Sequence, residues 1–292
     1  MMTGIALLVL SNAHMVQSAN ADGSQVLLKE TFDSSSDNSG FAAKAFKNEH
    51  IELAEGAGPD GSDAIRVAYV GYERGSHRVL GNYPLSKKVD QATLSFDVCF
   101  EKDFQWTFGG KLHGLGPKRP VTGGGERRPD VWSARMMFEQ DGKCSTYLYD
   151  QNTANKWGAG DTTEKPVFVA GNWHHVDLQV SLNDPAQPNG FARILIDGKP
   201  VVTTENVVFR GTGGLDTRIQ YFLFSTFHGG NKPKWTPLDE KGKPTTVHAL
   251  FDNFMVTEGI QSGEVPGDGA AGLKQRFPGI RLDFPLSDLA AI

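Results

Sequence analysis

The chain has 292 residues, a net charge of −5, and 39% apolar against 22% charged residues. That balance belongs to a globular protein with a sizeable core and excludes a disordered or collagen-like chain. No run of Lys and Arg covers a whole face, which excludes a nucleic-acid binder, and nothing after residue 21 reaches the ~20 apolar residues of a membrane span.

Residues 1–21 read as a secretory signal, with a short apolar core over 5–10 (IALLVL) and an A-x-A pattern at Ala19-Asn20-Ala21, though the usual basic start is missing. The protein is therefore expected to be secreted. A Ser-rich stretch over 34–39 follows. Period-2 patterns then predict strands over 64–70, 92–100, 132–138, 144–149, 174–180, 192–196, 218–225 and 249–256. Turn-rich segments such as Gly58-Pro59-Asp60-Gly61 and Asn183-Asp184-Pro185 separate them. Many short strands, 34 Gly, 15 Pro and no long helical pattern predict an all-β fold, a two-sheet sandwich or jelly roll. Residues 27–258 read as one domain, and 261–292 as a Gly- and Pro-rich tail without an assigned role. Cys99 and Cys144 fall in separate strands, where they either pair in an oxidising compartment or stay as buried thiols.

One hairpin matters for function. Ser133 and Arg135 share one face of their strand, and Tyr147 and Tyr149 share one face of the next. The four converge only if paired residues have an even number sum, which requires an odd loop. Gln140-Asp141-Gly142 as a three-residue loop, with Gly142 left-handed and forming a bulge, supplies it. A two-residue Asp-Gly turn would put the pairs on opposite faces.

From Gly109 to Phe138 the chain holds six basic residues (Lys111, Lys118, Arg119, Arg127, Arg128, Arg135) against Glu126 and Asp130. Inside a negative chain this is a local attractor for a polyanion.

The run Gly109-Gly110-Lys111-Leu112-His113-Gly114-Leu115 resembles the G-G-K-L-P-G-L segment of polysaccharide lyase family 14. At matching spacing come Trp132-Ser133-Ala134-Arg135-Met136-Met137-Phe138 and Tyr147-Leu148-Tyr149. Gly171-Asn172-Trp173-His174, Leu182-Asn183, Ser225-Thr226-Phe227-His228-Gly229-Gly230 and Phe251-Asp252-Asn253-Phe254 follow. The ordered set spans roughly residues 90–258. Departures are His113, where the family has Pro, and His228, where an aromatic is common. The resemblance implies a concanavalin-like jelly roll that cleaves alginate without an organic cofactor.

Such a reaction removes the C5 proton of a uronate and expels the C4 oxygen. The enzyme must neutralise the carboxylate, provide a base, and protonate the leaving oxygen. Lys111 and Arg135 fit the first need, Arg through paired hydrogen bonds. Nearby cations would lower a tyrosine's pKa from ~10, so Tyr147 or Tyr149 is expected as base and acid, the choice left open. Ser133 is expected to bind substrate or hold a catalytic group. Arg127, Arg128, His113, His228 and Gln151 are expected to contact flanking sugars. Glu30, Asp33 and Asp252 suggest a structural calcium site away from the groove.

The expected partner is an anionic polysaccharide, bound by a monomer, with no nucleic acid or membrane. A glucuronan lyase and a non-catalytic carbohydrate-binding module are the alternatives. A glycoside hydrolase would need facing carboxylates, which are sparse in the site segments.

Overall fold

A computed structural model describes residues 24–33, 40–152 and 154–261. The predicted signal segment, the Ser-rich stretch and the tail beyond Gln261 lie outside the described residues. Among the described residues, fourteen strands occur in chain order. They are β1 (Val26–Glu30), β2 (Ile51–Ala54), β3 (Ala64–Tyr72), β4 (Gly75–Ser76), β5 (Val79–Val89), β6 (Gln91–Phe100) and β7 (Gly110–Gly116). Then come β8 (Ser133–Phe138), β9 (Cys144–Tyr149), β10 (Trp173–Ser181), β11 (Gly190–Ile196), β12 (Lys199–Val207), β13 (Ile219–His228) and β14 (Thr246–Glu258).

They form two antiparallel sheets, the two-layer arrangement of a jelly roll. One has the order β12-β11-β10-β6-β14-β3-β2, with β1 on β14 and β4 on β3; the other runs β5-β13-β7-β8-β9. Alternation explains the layering. In β6, Ala92, Leu94, Phe96, Val98 and Phe100 are fully buried and belong to the core shared by both sheets. Phe96, Phe222, Phe224, Phe251 and Phe254 pack there with ring centroids 5.5–6.4 Å apart. Truncating one of them, such as Phe254→Ala, would cost about 3–5 kcal/mol.

Every strand read from alternation is present. Those that escaped the pattern have local causes. β7 carries glycines at 110, 114 and 116, and β5 carries Pro84, which a strand at the sheet edge tolerates. β12, at the edge of the other sheet, buries only Val207, so its residues do not alternate. Cys99 and Cys144 are both free and buried, on different sheets. Among the described residues, no helix is long and apolar enough to cross a membrane.

Candidate active site

The β8–β9 hairpin pairs Ser133 with Tyr149, Arg135 with Tyr147 and Met137 with Ser145. The loop is the three-residue one: the Glu139 N–H donates to the Lys143 carbonyl at 2.7 Å. Gly142 is left-handed (φ 79°), as expected, and so is Asp141 (φ 59°). The pairing continues from Phe138 and Cys144 without a shift, so no bulge is needed to set the register. Ala134, Met136, Phe138 and Leu148 point into the core, leaving Ser133, Arg135, Tyr147 and Tyr149 together on the outer face.

Lys111 joins them through β7. It pairs with Met137 on one side and Phe227 on the other, while Gly114 sits between Arg135 and Leu223. Two rows therefore cross the sheet: Phe227–Lys111–Met137–Ser145, and Leu223–Gly114–Arg135–Tyr147. Gly114 is required there, because a Cβ would fall 2.7 Å from the Arg135 Cα and Cγ. The bare backbone gives the arginine side chain its bed.

The charges are unevenly answered. Lys118 faces Asp216 at 3.6 Å, and Arg119 and Arg128 both face Asp130. Arg135, buried to 6% exposure, has no carboxylate within 4 Å among the described residues. Its Nη1 donates to Ser133 Oγ at 3.0 Å, and its Nε has no partner. Ser133 Oγ in turn donates to the Val121 carbonyl at 2.7 Å, tying the arginine to the loop over the sheet. Burial lowers the Arg135 pKa to about 10, which still leaves it charged at neutral pH.

Lys111 Nζ lies 3.0 Å from Met137 Sδ and 3.2 Å from the centroid of the Tyr147 ring. Burial pulls its pKa down to about 7, against an opposing pull from the Glu139 carboxylate. Glu139 accepts a hydrogen bond from Ser145 Oγ at 2.6 Å, and burial raises its own pKa. Tyr147 goes the opposite way to the expectation. Burial and the adjoining Tyr149 raise its pKa, outweighing the Gly158 backbone and Arg135, which lower it. The lysine is thus the group poised near neutrality, and the tyrosine stays protonated.

The tyrosines are not equivalent. Tyr149 is fully buried, packs with Val121 and Val131, and accepts a hydrogen bond from the Gly124 N–H at 2.8 Å. Tyr147 remains partly open.

Several expected contacts with sugar are corrected. His113 points into the core, stacked on Phe224 at 4.4 Å, with burial lowering its pKa to about 3. Strict alternation would put it on the face of Lys111, but an irregularity between Lys111 and Gly114 turns both Leu112 and His113 inward. His228 also points inward, with Nε2 donating to the Gln105 carbonyl at 2.6 Å and its ring stacked on Phe104. Gln151 Nε2 donates to the carbonyls of Arg128, Val131 and Phe209, which makes it a loop brace. Arg127 donates to the carbonyls of Asp150, Asn155 and Trp157. Arg128 stays exposed beside Asp130.

The candidate calcium ligands are each engaged within the protein. Glu30 accepts from the Phe32 N–H, Asp33 from the Asp63 N–H, and Asp252 from Ser62 Oγ and the Asn253 N–H. Among the described residues, no three His, Cys, Asp or Glu side chains gather as a metal group. Sequence reasoning missed Met137, Glu139 and Ser145, although their odd numbering with Arg135 and Tyr147 carries the signal. It also missed Arg78, whose guanidinium sits 5.8 Å over the Phe227 ring.

A jelly roll that gathers a near-neutral lysine, an unpaired buried arginine and two tyrosines on one sheet face is built as a polysaccharide lyase. The chain belongs to the polysaccharide lyase 14 family, whose pattern matches residues 70–254. No curated protein matches the sequence. Solved structures with the same fold include the alginate lyase Aly36B, with 23% identity, TM-score 0.63, and coverage of 80% of this chain and 97% of that one. A marine PL-14 alginate lyase from Aplysia kurodai has 23% identity and TM-score 0.55, covering 71% and 87%. An endo-β-1,4-glucuronan lyase from the fungus Trichoderma reesei has 18% identity and TM-score 0.51, covering 73% and 88%.

Proposed function

We propose that the protein is a secreted alginate lyase that uses Lys111 as base and Tyr147 as acid. The observation that carries this reading is Arg135, a buried cation with no carboxylate within 4 Å among the described residues and spare N–H groups beside Lys111 and Tyr147. An unpaired buried charge is costly, and a substrate carboxylate supplies the missing partner. Arg135 then withdraws charge from the uronate, making the C5 proton more acidic. Neutral Lys111, available because its pKa is about 7, takes that proton. The electron pair forms the C4–C5 double bond, the C4–O bond breaks, and Tyr147 gives its proton to the departing oxygen. The ammonium and phenolate left behind are adjacent, so returning the proton from Lys111 to Tyr147 resets the site. Ser133 holds Arg135 in place. No metal enters any step.

Base and acid on one sheet face favour elimination with both transfers on one side of the sugar. In β-mannuronate and glucuronate the C5 hydrogen and C4 oxygen lie on the same side of the ring; in α-guluronate they lie on opposite sides. Polymannuronate is therefore the preferred block of alginate. Glucuronan is the second reading, supported by the same stereochemistry and by the glucuronan lyase among the structures of similar fold. Export is supported by the apolar segment and Ala19-Asn20-Ala21.

The test is the ultraviolet absorbance of the unsaturated product on polymannuronate, polyguluronate and glucuronan. Rapid gain on polymannuronate is expected. Greater activity on glucuronan selects the second reading, and binding without absorbance on any polymer makes the protein a carbohydrate-binding module.

A further inference from the structure

The family reaction needs the acid's hydroxyl held in place, and one guanidinium binds the loop beside it at three points, in addition to the anchoring of its first residues by Gln151 and Asn152. After Tyr149 the chain leaves β9, runs through residues 150–158, and returns to pair Ala159 with Leu148 through two backbone hydrogen bonds of 2.8 and 3.0 Å. Arg127 sits in the mouth of this excursion. Its Nε donates to the Asp150 carbonyl at 3.0 Å, its Nη1 to the Asn155 carbonyl, and its Nη2 to the Trp157 carbonyl at 2.9 Å. One planar group thus binds the start, middle and end of the loop, while its Cζ lies 5.0 Å over the Tyr149 ring. The next residue after Trp157 is Gly158, and a Cβ there would fall 2.9 Å from Cε1 and Cζ of Tyr147. Gly158 is therefore in close packing with the phenol end of the ring, and any loosening of the loop moves that wall.

We infer that Arg127 is a positioning residue for Tyr147: by closing the 150–158 loop it holds Gly158 against the phenol and fixes where the hydroxyl stands. This rests on Tyr147 being the acid. It assigns Arg127 to the protein's own backbone, whereas the basic character of its segment had suggested a sugar contact. Lysine cannot replace it, because a single ammonium does not span three carbonyls in one plane.

The test uses Arg127→Ala, Arg127→Lys and Gly158→Ala in the full chain, with steady-state kinetics on polymannuronate. All three are expected to lose kcat by about tenfold or more while KM changes by less than about threefold, the pattern of a displaced catalytic group. Guanidinium ion at sub-denaturing concentration is expected to restore part of kcat to Arg127→Ala and none to Gly158→Ala. A rise in KM with kcat preserved in Arg127→Ala would make Arg127 a substrate contact and overturn the inference; so would unchanged kinetics. If Arg127→Ala does not fold, Gly158→Ala decides, and normal kcat there overturns the inference. Tyr147→Phe separates the two levels: full activity in that variant sinks Tyr147 as the acid, whereas an inactive Tyr147→Phe with a normal Arg127→Ala sinks only the role of Arg127.

Discussion

Lys111 Nζ stands 3.2 Å from the centre of the Tyr147 ring, on a face where, among the described residues, the lysine has no carboxylate within 4 Å. An ammonium so placed is short of water, and burial is the largest cause of its pKa near 7. The ring face offers attraction worth about 1–2 kcal/mol to the charged form, less than the loss of hydration. The site therefore keeps a lysine that is partly neutral at neutral pH.

The acid limb of kcat/KM should follow that lysine. A base must be unprotonated, so activity is expected to rise with pH through about 7 and to level off above it. Lys111→Arg keeps a cation but removes the base, and is expected to lower kcat by roughly a thousandfold. A limb near pH 10, or substantial turnover in Lys111→Arg, would return the base role to a tyrosine.

The two tyrosines should separate sharply. Tyr147→Phe removes the proton donor and is expected to reduce kcat by about 10²–10⁴-fold with stability nearly unchanged. Tyr149→Phe removes the acceptor for the Gly124 N–H under the covering loop, so it is expected to lower stability by about 1 kcal/mol and kcat only modestly. Thermal denaturation alongside kinetics checks both, and equal losses of kcat would contradict the difference in exposure.

Much of this face was legible in the sequence because strands have a period of two. The odd numbering of Ser133, Arg135, Tyr147 and Tyr149, with a three-residue loop between the strands, was enough to place them together. Lys111 came with them by motif. The same rule misplaced His113, since an irregularity between Lys111 and Gly114 reverses the alternation and leaves no mark in the residue types. The proton chemistry was least legible. Counting charges predicts that cations lower a tyrosine's pKa, but burial depends on what the fold stacks above the sheet, and it reverses the roles of Lys111 and Tyr147. The histidine and glutamine contacts failed for a related reason: a polar residue beside a basic motif reads alike whether it faces the sugar or braces a loop.

Replacing Lys111 or Arg135 by an apolar residue should stabilise the protein while abolishing turnover. Lys111 is depressed in the folded state, so below about pH 7 it is charged in both states and the fold carries the full desolvation cost. Between about 7 and its unfolded value of ~10.4 the unfolded chain binds more protons, and stability rises with pH. Lys111→Met is therefore expected to gain roughly 1–4 kcal/mol at pH 6, shrinking towards pH 10. Arg135→Met should also stabilise, but with little pH dependence below about 9, as its pKa is about 10. Urea denaturation across pH 6–10 measures both. A destabilised Lys111→Met at pH 6 would mean the ammonium is well solvated and the site more open than its geometry implies.

The opposite sheet offers the reverse sign. On its outer face His175 lies between two carboxylates, with Nδ1 2.7 Å from Asp97 and Nε2 3.4 Å from Asp177, and its side chain is 24% exposed. Burial works against the charge, but the bonds to Asp177 and Asp97 outweigh it and raise the pKa to about 10. Because the folded value lies above the unfolded ~6.5, the stabilisation is fully present below pH 6.5 and is lost as pH rises through about 10. Solvent screening at this partly open site holds it to roughly 1–3 kcal/mol. His175→Gln is expected to cost that much at pH 6 and little above pH 10, so the gap between variant and native stability should close with alkalinity. A gap independent of pH would make His175 a packing residue. Since Asp97 also accepts a hydrogen bond from Asn253 on β14 at 2.7 Å, the imidazolium couples β6, β10 and β14. Its loss should lower stability without touching kcat, the converse of Lys111→Met.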